Sequence, residues 1–308
     1  MKLGFGTWGL GGKDYGPLSQ ELAIDLLIKS SQKGISFFDT APLYGEGASE
    51  RYLSLLIKKV GRKNVEICTK GGMLPHVGFD LKQDFSIDNL HKDIRGSLNR
   101  LETDYIDYYL IHSPPVKEIN LPEIVNFFLE LKTKKVIRNF GVSLRSPSDY
   151  FGIENIELDI VEFNFNLLDQ RAIDIGLFEK LKLKKIKSIC RTPLCFGFLG
   201  SNDILKKNLN KNDHRKLYWS DEQFHLWNSA KNYFLDFVNE LDYLDFSQFA
   251  LHFCLSHKFD FVIPGIMNDR DLDLNVGALQ FPKIKKSKLL KIFSIYKKFE
   301  KKIYNTKK

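Results

Sequence analysis

Asp39, Tyr44, Lys70 and His112 are four side chains whose types, taken together, make a proton-donor site. A phenol ionises near pH 10, so at neutral pH it gives a proton to a developing alkoxide only when something favours its ionised form. Lys70 beside Tyr44 is expected to lower the phenol's pKa by charge proximity, with Asp39 pairing the lysine and holding it in place. A neutral His112 donating an N–H would orient a substrate carbonyl and stabilise the oxyanion. The chemistry this set describes is carbonyl reduction, in which oxygen is protonated while hydride arrives at carbon. Each residue alone has a plainer reading as a turn tyrosine, a solvent-facing lysine or a structural histidine, and the combination is what argues for a site.

Something must bring these positions together. Each lies at or just past the end of a short apolar run of strand length, and helix-length amphipathic stretches separate the runs. That alternation predicts a parallel sheet. About eight such runs occur, near residues 3–6, 36–39, 65–70, 105–112, 139–143, 159–163, 186–192 and 261–264, the number that closes a (β/α)8 TIM barrel. In such a barrel the strand C-termini converge on one face. Residues 19–33 carry Leu22, Leu26 and Leu27 on one expected face behind a Ser19 cap, and residues 86–101 repeat the device behind Ser86. Two intervals break the rhythm, 71–85 and 195–220, and connections of that length read as lids or substrate walls. The second holds Asn202, Lys206, Lys207, His214, Arg215, Tyr218 and Trp219, a set suited to a polar or anionic substrate.

The 308 residues are read as one α/β domain, 1–308, with a lysine-rich C-terminal helix and tail over about 283–308. A hydrophobic fraction of 43% with 27% charged residues fits a globular protein with a sizeable core. The net charge of +8 invites a nucleic-acid or lipid reading, but Leu289, Leu290, Ile292, Phe293 and Ile295 interleave the terminal lysines at near-helical spacing. A surface helix with a lysine-coated outer face explains that pattern. Cys68, Cys190, Cys195 and Cys254 have no metal or redox spacing and are expected to be buried, reduced thiols. No h-region opens the sequence and no uncharged apolar run nears the length of a membrane span, so a cytoplasmic location is expected, with neither membrane nor nucleic acid as partner. A metal-dependent hydrolase is disfavoured, because no His-x-His follows the first strand and His76, His91, His214, His225, His252 and His257 fall in loops or helices. The sequence is silent on oligomeric state.

Gly4-Phe5-Gly6-Thr7-Trp8-Gly9, the block from Phe38-Asp39-Thr40-Ala41-Pro42-Leu43-Tyr44-Gly45 to Ser49-Glu50, Cys68-Thr69-Lys70, Leu110-Ile111-His112-Ser113-Pro114, Asn139-Phe140-Gly141-Val142-Ser143 and Ile263-Pro264-Gly265 resemble the successive signatures of the aldo-keto reductase superfamily. The likeness runs from residue 3 to about residue 280. It implies a barrel that binds NADP(H) without a Rossmann domain, with Asp39, Tyr44, Lys70 and His112 at the catalytic tetrad. It also implies a cofactor surface drawn from Gly6, Thr7, Trp8, Ser143, Glu162, Arg191, Thr192, Pro193, Leu194, Gly197, Gly265, Met267, Arg270, Asp271 and Asn275, and a substrate wall from Trp8, Tyr44, His112 and Trp219. Glu162 stands where the family has glutamine, Leu144 where it has asparagine, and Arg191 where an aromatic is common. Met267 and Asp271 replace the polar and basic residues that face the adenosine phosphate, so NAD(H) use is an alternative to NADP(H). The substrate implied is a small aldehyde, ketone or sugar, with an anionic one suggested by the seventh loop; a cofactor-binding regulatory module with vestigial redox activity is the other reading. The N-terminal β-hairpin that plugs the barrel in many members is apparently missing, which leads one to expect exposed apolar surface at the barrel bottom.

Overall fold

The computed structural model describes residues 2–76, 81–240 and 242–304. Eight parallel strands close into a barrel in sequence order: β1 (Lys2–Gly6), β2 (Phe37–Asp39), β3 (Glu66–Gly71), β4 (Ile106–His112), β5 (Ile137–Ser143), β6 (Ile160–Asn164), β7 (Lys187–Arg191) and β8 (Phe261–Val262). β8 is shorter than the expected 261–264. The cause is Pro264, which has no N–H to give to a ladder, although Ile263 N–H still reaches the Cys190 carbonyl and the Pro264 carbonyl still accepts from Gly6 N–H.

Helices α1 (Gln20–Gln32), α2 (Ala48–Val60), α3 (Ile87–Leu101) and α4 (Leu121–Thr133) pack outside the first half of the barrel. Ser19 and Ser86 cap α1 and α3 as expected, accepting from Leu22 N–H and Asn89 N–H. Leu26 and Leu27 are fully buried, but Leu22 turns to solvent at 37% exposure. A parallel correction holds on the C-terminal helix Lys286–Tyr304, where Ile292 is buried and Leu290 is exposed; in each case the inward arc is narrower than the leucine pattern suggests. Residues 305–308 of the expected tail lie outside the described residues.

Two apolar clusters result. One fills the space between strands and helices, and the other, with Phe37, Tyr108, Ile160, Ile189 and Phe261, fills the barrel interior. The interior cluster answers the expectation of an exposed bottom, which the structure does not bear out. Phe37 and Phe261 stack with ring centroids 3.9 Å apart and Tyr108 meets both edges, all three buried. Lys2, Glu66 and Lys187 ring this plug, Lys187 donating to the Tyr108 hydroxyl at 3.0 Å. The barrel closes its own floor with large side chains, as packed barrels do.

The two long connections are structured. Residues 71–85 dock back through a Met73–Gln83 bridge, and Gln83 donates to the carbonyls of His112 and Ser113; residues 77–80 of that loop lie outside the described residues. The 195–220 segment carries short helical turns, including His214–Tyr218.

Candidate active site

Register decides which side chains meet at the mouth. Asp39 pairs with Cys68 across β2 and β3, His112 with Ser143 across β4 and β5, Ser143 with Glu162 across β5 and β6, and Asn164 with Arg191 across β6 and β7. Tyr44 comes from the β2–α2 turn. That turn lies against the β1 loop at Gly11 and Gly45, where a Cβ on Gly45 would stand 2.4 Å from the Gly11 carbonyl oxygen and where Gly45 has φ +60°. No side chain fits there, so the two glycines let the loops touch and bring Trp8 over Tyr44, ring centroids 6.1 Å apart. Beneath them Thr7 Oγ1 donates to the Asp39 carbonyl, and Ser49 Oγ donates to the Thr7 carbonyl.

The four expected residues assemble. Lys70 is fully buried, and its Nζ donates to Asp39 Oδ1 and Oδ2 at 2.6 and 2.5 Å and to the Thr40 carbonyl at 3.1 Å. The same ammonium lies 5.4 Å from the centroid of the Tyr44 ring. The His112 ring stands edge-on to Tyr44 with centroids 6.2 Å apart. Burial, reinforced by the cations Lys70 and Arg191, holds His112 well below the ordinary imidazole range and so neutral. At Tyr44 the expected lowering by Lys70 is present, but it is not the larger effect. Burial holds the phenol above its ordinary value, and Lys70 only partly offsets it, so Tyr44 keeps its proton at neutral pH. Asp39 is pushed up to about 7 by burial and by the nearby Glu162, with Lys70 pulling it down.

Glu162 is a third buried charge in the site, its Oε1 accepting from Ser143 Oγ at 2.8 Å. Arg191 crosses the mouth and ties it together, donating to Asn164 Oδ1, Ser143 Oγ and the Leu144 carbonyl at 2.8, 3.1 and 2.6 Å. Asp39, Cys68 and Glu162 have the makings of a metal-binding cluster, their ligand atoms within 4.8 Å of one another, but the Lys70 ammonium is already paired with both carboxylates.

Further round the mouth, Thr192, Cys195 and Phe196 adopt left-handed φ of 53°, 45° and 56°, leading into Gly197 at 93°. Three non-glycine residues in that region concentrate backbone strain in one loop. Pro193 is buried with its carbonyl toward Cys254, while Arg191, Thr192 and Leu194 keep open surface. A cleft here is lined by Asn164, Asn166, Asp169, Thr192, Phe196 and Trp227. Sequence reasoning missed Asn164 and Asn166; their signal was two asparagines alternating with Phe163 and Phe165 at a strand's C-terminal end. Asn166 Nδ2 donates to the Thr192 carbonyl and holds the strained loop.

At β8, a Cβ on Gly265 would meet open space. Asn275 is buried and donates to the Gly265 carbonyl. Asp271 accepts from Met267 N–H at 3.0 Å, while Arg270 hydrogen-bonds Asp245 and only partly offsets the Asp271 charge. In the seventh connection, Arg215 pairs with Asp213, and Lys206 pairs with Asp221 and donates to the Trp219 carbonyl. Asn202 and Lys207 are exposed, and Tyr218 is half-buried. His214 and Trp219 join Trp8, Tyr15 and Phe196 in an aromatic roof, with His214 only 4.5 Å from Trp8 between centroids.

Comparison with known proteins agrees with this arrangement. The sequence model of the Aldo/keto reductase family matches residues 2–297. The chain is 28% identical over 296 residues to a probable aldo-keto reductase 1 of Glycine max, covering 95% of this chain and 84% of that protein. It is 32% identical over 213 residues to the NADH-specific methylglyoxal reductase of Escherichia coli K12, covering 64% of this chain and 65% of that one. An aldo/keto reductase from Klebsiella pneumoniae, solved with NADP and acetate, shares the fold with a TM-score of 0.71 at 21% identity, covering 96% of this chain and 90% of that one. No helix among the described residues is long and apolar enough to cross a membrane. With its barrel and a family match over nearly its whole length, the chain belongs to the aldo/keto reductase family.

Proposed function

We propose that the protein interconverts a small carbonyl compound and its alcohol with a nicotinamide cofactor, and that Tyr44 is the general acid and base. The observation that carries this reading is the Asp39–Lys70 clamp, which fixes a buried ammonium 5.4 Å from the Tyr44 ring with His112 on the ring's other flank. A phenol that is protonated at rest is a donor, and the ammonium eases its ionisation as the proton leaves. Neutral His112 offers an N–H toward the same oxygen. Trp8 stacks over the half-buried Tyr44 and shields part of its ring from solvent, which strengthens these interactions. Hydride is supplied, or accepted, by the cofactor when it is bound.

The residues present fit that cofactor. Ser143 and Glu162 form a buried polar shelf, and Glu162 Oε2 has no hydrogen-bond partner. An orphaned acceptor suits the amide N–H2 of a nicotinamide. Gly265, open on its Cα side, leaves room for a ligand to approach the β8 backbone. The Klebsiella pneumoniae protein of the same fold holds NADP and the Escherichia coli relative is NADH-specific. In this chain Arg270 pairs with Asp245 and only partly compensates Asp271, and a carboxylate at this place repels a 2′-phosphate. That observation favours NAD(H) over NADP(H). The assembled tetrad favours an enzyme over a vestigial binding module. Internal pairing of Lys206 and Arg215 leaves Lys207 and Lys211 as exposed cations of that loop for an anionic substrate.

The test is consumption of NADH and NADPH, followed by absorbance, with a panel of aldehydes, ketones and sugars, beside Tyr44→Phe. Turnover should fall by roughly a hundred- to ten-thousand-fold in the variant while cofactor affinity holds, the range for loss of a general acid. Equal turnover in both proteins would remove Tyr44 from the mechanism.

A further inference from the structure

Glu162 is 1% exposed, and its negative charge is costly where it stands. Its Oε1 accepts from Ser143 Oγ and lies 3.9 Å from Arg191 Nη1. Its Oε2 lies 3.6 Å from Lys70 Nζ and still has no hydrogen bond. The reason is stoichiometric. An ammonium has three N–H donors, and those of Lys70 go to the two Asp39 oxygens and to the Thr40 carbonyl. Lys70 is thus hydrogen-bonded to one carboxylate and only electrostatically shared with the second. A neutral amide could also accept from Ser143, if more weakly, without burying a charge.

We infer that Glu162 makes the site selective for the charge state of the nicotinamide, its carboxylate favouring the cationic oxidised ring over the neutral reduced ring. The inference rests on the nicotinamide reading above. The two forms of the ring have nearly the same shape and differ by one positive charge, so a fixed buried carboxylate distinguishes them where shape does not. Arg191 acts in the opposite sense. With Asp39 ionised, Asp39, Glu162, Lys70 and Arg191 sum to zero charge, and removing either Glu162 or Arg191 tips the balance in a known direction. Tighter holding of the oxidised form makes the bound reduced form the better hydride donor, because the free energy of the bound couple shifts by the difference in binding. The site therefore leans toward carbonyl reduction, at the expense of slower release of the oxidised cofactor.

The experiment measures dissociation constants of NAD+, NADH, NADP+ and NADPH for the full chain, Glu162→Gln and Arg191→Gln. The ratio of oxidised to reduced Kd should rise about tenfold in Glu162→Gln, the effect of one well-placed charge, and should fall in Arg191→Gln. A ratio that stays level or falls in Glu162→Gln, while both forms still bind, overturns the inference and leaves the nicotinamide reading standing. Failure of the unsubstituted protein to bind any of the four overturns both. Should Glu162→Gln not fold, Arg191→Gln decides, and a ratio that does not fall there overturns the inference.

Discussion

At the floor of the barrel, Lys2, Glu66 and Lys187 surround the Phe37–Phe261 stack; at the mouth, Asp39, Lys70, Glu162 and Arg191 surround Tyr44 and His112. Both ends mix aromatic rings with charge, yet they place the charge differently. The side chains of Lys2 and Glu66 are 56% and 30% exposed, whereas those of Lys70 and Asp39 are 0% and 4% exposed. Exposed pairs contribute little to stability, and buried ones seldom repay their desolvation against an apolar alternative. The floor keeps apolar bulk inside and leaves its ions wet. The mouth buries two carboxylates and an ammonium and leaves one carboxylate oxygen unpartnered. Such an arrangement is a cost in stability that folding alone does not explain.

Lys70→Met tests the mouth most severely. It should abolish turnover, and it strips Asp39 and Glu162 of their shared cation; breaking a buried pair in this way costs about 3–5 kcal/mol. The loss should depend on pH in a definite sense. Asp39 already sits at about 7 in the folded chain, with Lys70 holding it down, so the variant's Asp39 rises further. An acid whose folded pKa exceeds its unfolded value contributes stability below the unfolded value and loses it as pH rises through the folded one. The deficit of the variant, measured by urea unfolding, should therefore be larger above pH 7 than below it. A deficit equal on both sides would mean that Asp39 does not rise in the variant. Phe261→Ala probes the floor. Truncating a buried phenylalanine costs about 3–5 kcal/mol through the cavity it leaves, but cofactor Kd should not move, because Phe261 begins β8 at the opposite end from the mouth. A changed Kd would mean that the floor and the mouth are mechanically coupled.

Strand positions, and the meeting of Asp39, Tyr44, Lys70 and His112, were legible in the sequence because each rests on local pattern. The run 105–112 became β4 (Ile106–His112), and Lys70 and His112 stand at strand ends where the apolar runs stop. What could not be read depended on packing between distant segments. The net direction of the Tyr44 pKa turns on how far burial outweighs one ammonium, and that burial comes from residues distant in sequence, Trp8 and His112 among them. The closed floor needed the 3.9 Å stacking of residues from β2 and β8, which no spacing rule reports. Likewise the sequence shows Arg191 only as an arginine where an aromatic is common, and says nothing of its donors reaching β5 and β6. The exposure of Leu22 and Leu290 shows the same limit on helices, where periodicity gives the axis of the apolar stripe and only the neighbours set its width.

The smallest predicted effect is the one that most directly separates the two ends. Lys2→Met removes the ion pair with Glu66 but keeps an unbranched apolar stem over Phe261, whose ring the ammonium now overlooks at 6.0 Å. Glu66 is left with the Tyr108 hydroxyl at 3.4 Å and with water, so no charge becomes stranded. An exposed pair of this kind is worth about 0–1 kcal/mol and is screened by salt. Thermal unfolding of Lys2→Met should thus differ little from the unsubstituted protein in dilute buffer and less still at high salt. If instead Lys2→Met destabilised the protein as much as Phe261→Ala, and did so regardless of salt, the floor's ions would be structural in the way the mouth's are, and the contrast between a wet end for folding and a dry end for chemistry would fail.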